Sequence, residues 1–241
     1  MKDQLKRMFH RMGVQVTKYQ AHTTEEFLLQ QILQRHRVDY VLDVGANTGA
    51  YGKTLRKYGY RGNIISFEPL TSAWTKLSDN ARGDARWTVA DRMALGNYNG
   101  NTEINIAGNS ESSSVLPMEK SHWEVAPDSK YIAKEPVPVR RLDDYLAEKG
   151  IGLSPNVYLK IDTQGFESQV LAGAANTLDK TVGLELELSL LPLYEGQLLY
   201  QDLIRILNGK GFQLWSMFPV FTDPATGRLL QFNGFFVKSK A

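Results

Sequence analysis

The stretch Val41-Leu42-Asp43-Val44-Gly45-Ala46-Asn47-Thr48-Gly49 decides the fold. A short apolar run from Tyr40 to Val44 reads as a strand and goes directly into glycines at 45 and 49. The helical pattern from Tyr51 to Tyr58 then closes at Gly59. Glycines at a strand-to-helix turn let the backbone bend sharply and come close to a ligand, while the first turn of the helix offers free N–H groups to an anion. The turn has no Gly-Lys-Ser/Thr ending, so a nucleotide P-loop is excluded, and the Gly-x-Gly-x-x-Gly of a nicotinamide site is missing.

Outward from that unit, short apolar runs alternate with helical patterns, the signature of parallel strands joined by helical crossovers. Asn63 to Phe67 and the weaker Trp87 to Val89 read as the second and third strands, separated by a helix from Ser72 to Asn80 with Ser72 as its cap. Leu142 to Lys149 is helical, Val157 to Ile161 a strand, Phe166 to Leu171 the opening of a helix, Val182 to Leu188 a strand and Asp202 to Leu207 a helix. Phe212 to Phe218 and Phe232 to Val237, around a turn-rich segment, read as an antiparallel hairpin at the sheet edge. The expectation is a doubly wound, mostly parallel α/β sheet in residues 39–241, preceded by a helical segment, 1–38. An insertion at about 94–140, rich in Asn, Ser, Gly and Pro, interrupts the alternation, and its length points to function.

Composition narrows the classes. Twenty-eight basic and 26 acidic residues give a net charge of +2, which does not describe a nucleic-acid-binding surface. There is no cysteine, so disulfides, thiol nucleophiles and thiolate metal sites are all excluded. No apolar run spans a bilayer and no signal peptide is evident, so a cytoplasmic protein without a transmembrane segment is expected. Leu5, Met8, Phe9, Met12 and Val16 recur at helical spacing between basic residues. Such a helix packs on its own domain or a partner subunit, or lies on a membrane surface.

In open α/β sheets the ligand sits at the carboxyl ends of the strands. There Asp43 is placed to hold an ammonium, Gly45, Asn47 and Gly49 form a turn for a carboxylate, and Glu68, before Pro69, is placed to accept from ribose hydroxyls. Together they match the three polar parts of S-adenosylmethionine.

Asp43 to Gly49, Phe67-Glu68-Pro69, Ala94-Leu95-Gly96 and Lys160-Ile161-Asp162-Thr163-Gln164-Gly165-Phe166-Glu167 resemble, in order and spacing, the FkbM family of methyltransferases. The resemblance covers roughly Val41 to Val237. It implies a class I, Rossmann-like methyltransferase fold, S-adenosylmethionine as donor and an oxygen acceptor on a sugar or related natural product. Thr163, Gln164 and Phe166 depart from the family's more usual residues after the aspartate, and Asn233 stands where relatives often carry aspartate.

The chemistry is expected at the ends of the fourth and fifth parallel strands. Alternation puts Lys160 and Asp162 on one face, and Glu185 and Glu187 likewise, anomalous for a central strand that should be apolar. Asp162, Lys160 and Glu187 are the catalytic candidates, and Glu185 is assigned a structural hydrogen bond. Lys160 pairing with Asp162 or Glu187 simply to stabilise the sheet is the alternative. Gln164, Glu167, Tyr194 and His122 are expected to meet the acceptor, with Trp123 and Tyr131 at the rim or in a small satellite core, and Ser110 to Ser114 as a loop, hydroxyls lining the cleft being the alternative. Mg²⁺ bound by Asp162 and Glu187 is the weaker alternative to metal-free chemistry, because a third ligand is lacking. The sequence reads as an S-adenosylmethionine-dependent O-methyltransferase acting on a small-molecule or glycan acceptor, with homo-oligomerisation open. A donor-binding protein without turnover and a nicotinamide-dependent oxidoreductase are the rival readings.

Overall fold

The structure, a computed structural model, describes residues 2–15 and 20–239. Helices α1 Lys2–Arg11 and α2 Glu25–Arg35 precede the first strand. The first half of the domain then runs β1 Tyr40–Val44, α3 Ala50–Lys57, β2 Asn63–Phe67, α4 Thr71–Ala81 and β3 Trp87–Val89. The insertion holds β4 Ala94–Leu95, β5 Gly100–Ala107, α5 Lys120–Trp123 and β6 Tyr131–Arg140. The second half is α6 Leu142–Glu148, β7 Val157–Ile161, α7 Glu167–Ala172, α8 Ala175–Lys180, β8 Thr181–Ser189, α9 Tyr200–Gly209, β9 Phe212–Thr222 and β10 Leu229–Lys238.

The main sheet has the order β3-β2-β1-β7-β8-β10-β9. All pairs from β3 to β8 are parallel, while β10 pairs antiparallel with both β8 and β9. The fold is thus the α/β, mostly parallel sheet the sequence suggested. The later strand of the expected hairpin, not the earlier, inserts beside β8, and β9 becomes the edge. The chain winds outward from β1 in one direction and from β7 in the other, so the crevice where strand order reverses lies between their carboxyl ends.

Alternation gives the sheet two unlike faces. Leu42, Val44, Leu159, Ile161, Leu184, Leu186 and Leu188 are buried beneath the side chains of α6 to α9, a continuous apolar layer. The other face is apolar only at its amino half, where Val41, Ile64 and Tyr158 meet α2, α3 and α4. Its carboxyl half turns polar: Asp43, Ser66, Lys160 and Glu185 are all buried there. That change of character along single strands creates the site.

The segment 1–38 does not behave as one unit. Leu29, Ile32 and Leu33 of α2 are buried against the sheet, about 1.5–3 kcal/mol each, which makes α2 part of the domain. Thr24 Oγ1 caps it by accepting from Phe27 N–H at 3.3 Å. By contrast, Leu5 and Met8 of α1 and Met12 just past its end are exposed and Phe9 is half-buried, so the apolar stripe is not buried on the domain as that of α2 is; Val16 lies outside the described residues.

Ser72 does not cap α4. The helix starts from Leu70, whose N–H is bonded by Glu68, and Thr71 N–H is bonded by Glu135 from the insertion. The insertion builds its own sheet, β4-β6-β5, and packs Ile104, Val137 and Val139 on Leu70 and Ala73. It thereby forms one wall of the crevice. No helix among the described residues is long and apolar enough to cross a membrane.

Candidate active site

A cleft of about 540 Å³ opens over the carboxyl ends of β1, β2, β7 and β8. Gly45, Asn47, Glu68 and Pro69 line it, with Leu70, Met93 and Leu95 supplying an apolar patch beside Glu68. Gly45 has a φ of 78°, and a Cβ there would lie 1.8 Å from the Asp162 carbonyl oxygen, so only glycine lets the β1 turn meet the end of β7. Asn47, at φ 46°, donates its N–H to Glu68 Oε2 at 2.8 Å, and Leu70 N–H donates to Oε1 at 2.9 Å. Burial pushes Glu68 up to about 7 against those two bonds. Glu68 therefore braces both walls of the turn as well as facing the cleft. Gly49 does not line it; a Cβ there would be 2.8 Å from Leu77, so this glycine permits close packing of α3.

Asp43 is wholly buried and does not line the cleft. Ser66 Oγ donates to its Oδ2 at 3.2 Å, and its Oδ1 has no hydrogen-bond partner but lies 3.6 Å from Lys160 Nζ. Its placement corrects the expectation that it grips a ligand ammonium directly: it stands behind Lys160, which does reach the cleft. Lys160 Nζ also donates to Asp162 Oδ2 at 3.3 Å and to the Gly45 carbonyl at 3.2 Å. Burial works against its charge, but the Asp162 and Asp43 carboxylates prevail and raise its pKa. Lys160 is thus a fixed cation rather than a base, paired with Asp162 and not with Glu187.

Gln164 is the centre of the polar wall. At φ 54° its side chain turns back, so that Nε2 donates to Asp162 Oδ1 at 2.8 Å and to Glu187 Oε2 at 2.6 Å. Its Oε1 accepts from Tyr194 OH at 2.7 Å, and its carbonyl accepts from Ser114 Oγ at 2.7 Å. Gln231 Nε2 adds a second bond to Glu187 Oε2 at 2.9 Å. Glu187 is pushed well above the ordinary carboxylate value, first by burial and then by the Asp162 and Glu167 charges. Glu185 accepts from Tyr51 OH at 2.9 Å and Tyr158 OH at 3.3 Å, the structural bonding expected of it, and burial lifts it to about 8.

Three expected acceptor contacts sit elsewhere. Glu167 is buried and spends Oε1 on the N–H groups of Thr163 and Gly165, bracing the loop behind the cleft. Tyr194 is fully buried; it holds Gln164 rather than reaching the cleft. His122 is 3% exposed and packs on the rings of Tyr194 and Phe221 at 5.2 and 5.4 Å; burial lowers it to about 4. A neutral, enclosed imidazole is not a lid residue. Trp123 lies under Lys130 Nζ, while Tyr131 bonds the Leu116 carbonyl and packs in a satellite core, so neither lines the cleft. Ser110, Ser113 and Ser114 line the cleft, the alternative to a plain loop.

Other lining residues escaped the sequence reading: Glu25 and Glu26 from α2, Tyr51 and Thr54 from α3, and Val220 from β9. Asn233 Nδ2 donates to Glu25 Oε1 at 3.0 Å, tying α2 to β10. A cap-and-acid start at Thr24-Glu25-Glu26 was the signal available for α2, but nothing local says that this helix end overhangs the sheet. Among the described residues no group of three or more His, Asp or Glu is placed to hold a metal ion.

Known proteins similar to this chain are methyltransferases. The 2-O-methyltransferase NoeI of Sinorhizobium fredii is 27% identical over 185 residues, 74% of this chain and 74% of that protein. The hexuronic acid methyltransferase AglP of Haloferax volcanii is 26% identical over 156 residues, 64% of this chain and 58% of that one. The solved structure of precorrin-6y C5,15-methyltransferase from Geobacter metallireducens aligns at 12% identity with a TM-score of 0.45, over 93% of this chain and 94% of that one, too distant to argue from. Residues 43–214 match the methyltransferase FkbM domain. That span runs from the buried acid of β1 to the start of β9 and holds both carboxylates joined by Gln164, and on it the chain belongs to the FkbM family of methyltransferases.

Proposed function

We propose that the protein is an S-adenosylmethionine-dependent O-methyltransferase whose acceptor is a hydroxyl of a sugar, free or within a glycan or natural product. The observation that carries the chemistry is the Asp162–Gln164–Glu187 cluster on the cleft wall, across from the Glu68 turn. The donor fits the other end: Glu68 for ribose hydroxyls, the apolar Leu70, Met93 and Leu95 for a purine, and the start of α3, where Ala50 and Tyr51 line the cleft, for a carboxylate. Its sulfonium supplies an activated methyl carbon. What remains for the protein is to align the hydroxyl and remove its proton.

Glu187 is suited to the second task, because burial and Asp162 make its carboxylate a stronger base than an exposed one. Both amide bonds to it fall on Oε2, so Oε1 is the oxygen assigned to the hydroxyl proton. Asp162, held by Lys160 and Gln164, orients the acceptor. Glu187 takes the hydroxyl proton as that oxygen accepts the methyl, which a bound donor would release in becoming a neutral thioether.

The sugar assignment draws on the polar wall and on the printed names of the two curated relatives, a 2-O-methyltransferase and a hexuronic acid methyltransferase. The test is isotopically labelled donor with panels of glycosides, phenols and peptides, followed by mass spectrometry. Label on glycoside oxygen is expected. Transfer to phenols or peptide nitrogen with none to glycosides refutes the sugar acceptor and leaves the methyltransferase standing.

A further inference from the structure

Where α2, β7, β8 and β10 meet, the cleft is lined by Glu25, Glu26, Asp162, Glu185 and Glu187. Among the described residues, the single cationic side chain lining any part of it is Lys160. That ammonium is already committed: Asp162 at 3.3 Å, Asp43 at 3.6 Å, the Gly45 carbonyl at 3.2 Å and the Tyr51 ring at 5.5 Å surround it. A second anion drawn to Lys160 would have to displace one of these partners.

Resting on the sugar-methylating reading above, we infer that the acceptor is neutral or carries an ammonium near the methylated hydroxyl, and that sugars bearing a carboxylate are rejected. A uronate carboxylate entering this end finds no unpaired cation among the described residues and meets acidic side chains on three elements: those that are ionised repel it, and those that burial raises are held protonated more firmly by its charge. An aminodeoxy sugar finds the opposite: Glu25, fixed by Asn233, and the rim acid Glu26 offer an ammonium two carboxylates. The field also acts on the chemistry. Burial raises Glu25, Glu185 and Glu187 above the ordinary carboxylate value, so an anionic acceptor keeps the base protonated and a cationic one favours its ionised form. The hexuronic acid methyltransferase similar to this chain is therefore a guide to a sugar as acceptor, not to the charge that sugar carries.

The experiment uses the full chain and one methyl glycoside in three forms: the parent sugar, its 6-carboxylate and an aminodeoxy derivative. kcat/KM is measured for each with labelled donor at pH 7.5. The uronate is expected at least tenfold below the parent and the amino form at or above it. Glu26→Lys, a reversal at an exposed rim position, is expected to raise the uronate-to-parent ratio at least threefold. A uronate used within twofold of the parent by the wild-type protein overturns the inference alone. No transfer to any of the three overturns the sugar reading beneath it.

Discussion

Gln164→Leu keeps the volume of the side chain and removes its polar end. In the folded protein Nε2 donates to Asp162 Oδ1 at 2.8 Å and Glu187 Oε2 at 2.6 Å. Hydrogen bonds to charged groups contribute about 1.5–3 kcal/mol each, which sets the scale of the loss. Two compensations limit the effect on stability. Tyr194 OH, which loses Gln164 Oε1, still has the Ser112 carbonyl at 3.1 Å, and Glu187 keeps Gln231 at 2.9 Å. Glu187 can also escape by taking a proton. A destabilisation of about 2–4 kcal/mol is therefore expected, below the sum of two full bonds. The sign of the functional effect follows from the same bond. Gln164 favours the charged form of Glu187, opposing the rise caused by burial, so its removal moves the acid limb of kcat to higher pH. At 1.36 kcal/mol per unit, a bond of that strength corresponds to about one to two pH units. The assay is kcat against pH with saturating donor and acceptor, alongside thermal unfolding. An acid limb that stays in place or moves down, in a folded variant that binds donor, refutes the assignment of Glu187 as the ionising base.

Glu68→Gln keeps one acceptor for the turn and loses the charge; S-adenosylmethionine affinity by calorimetry is expected to fall at least tenfold, about 1.5 kcal/mol or more, and unchanged affinity removes Glu68 from the donor site. Asp162→Asn is expected to bind donor normally while turnover drops roughly 100-fold; normal turnover returns Asp162 to a purely structural partner of Lys160. His122 is held neutral in the fold at about 4 against 6.5 when free, so stability that is full above 6.5 is lost as pH falls toward 4. His122→Phe is expected to remove about 3 kcal/mol of that acid loss while leaving kcat unchanged, as unfolding curves between pH 7 and 4 and a single rate assay show. A large fall in kcat with stability unaltered restores His122 to the acceptor site.

Much of this protein is legible in its sequence because the governing signals are local. The apolar runs at Tyr40–Val44, Asn63–Phe67 and Val157–Ile161 are strands because each is short, buried on both faces and bounded by turn residues. Alternation along β7 and β8 likewise placed Lys160 and Asp162 on one face and set Glu185 beside Glu187 before any contact was known. Facing direction across elements is not local. Asp43 and Lys160 stand opposite each other in the β1–β7 register, yet only the lysine is long enough to reach the cleft while the aspartate stays beneath it. Tyr194 and His122 have the chemistry of an acceptor site, but packing of Leu193, Leu230 and Phe221 around them makes them core. Glu25 enters the site from 208 residues before its partner Asn233, a contact made only because α2 buries three side chains on the sheet. The sequence by itself determined the order of elements, the strand ends and the acids carried there, since period and composition act within a few residues. Only the tertiary structure decided which of those acids meet the cleft, because that depends on side-chain length, burial and neighbours brought together across the whole chain.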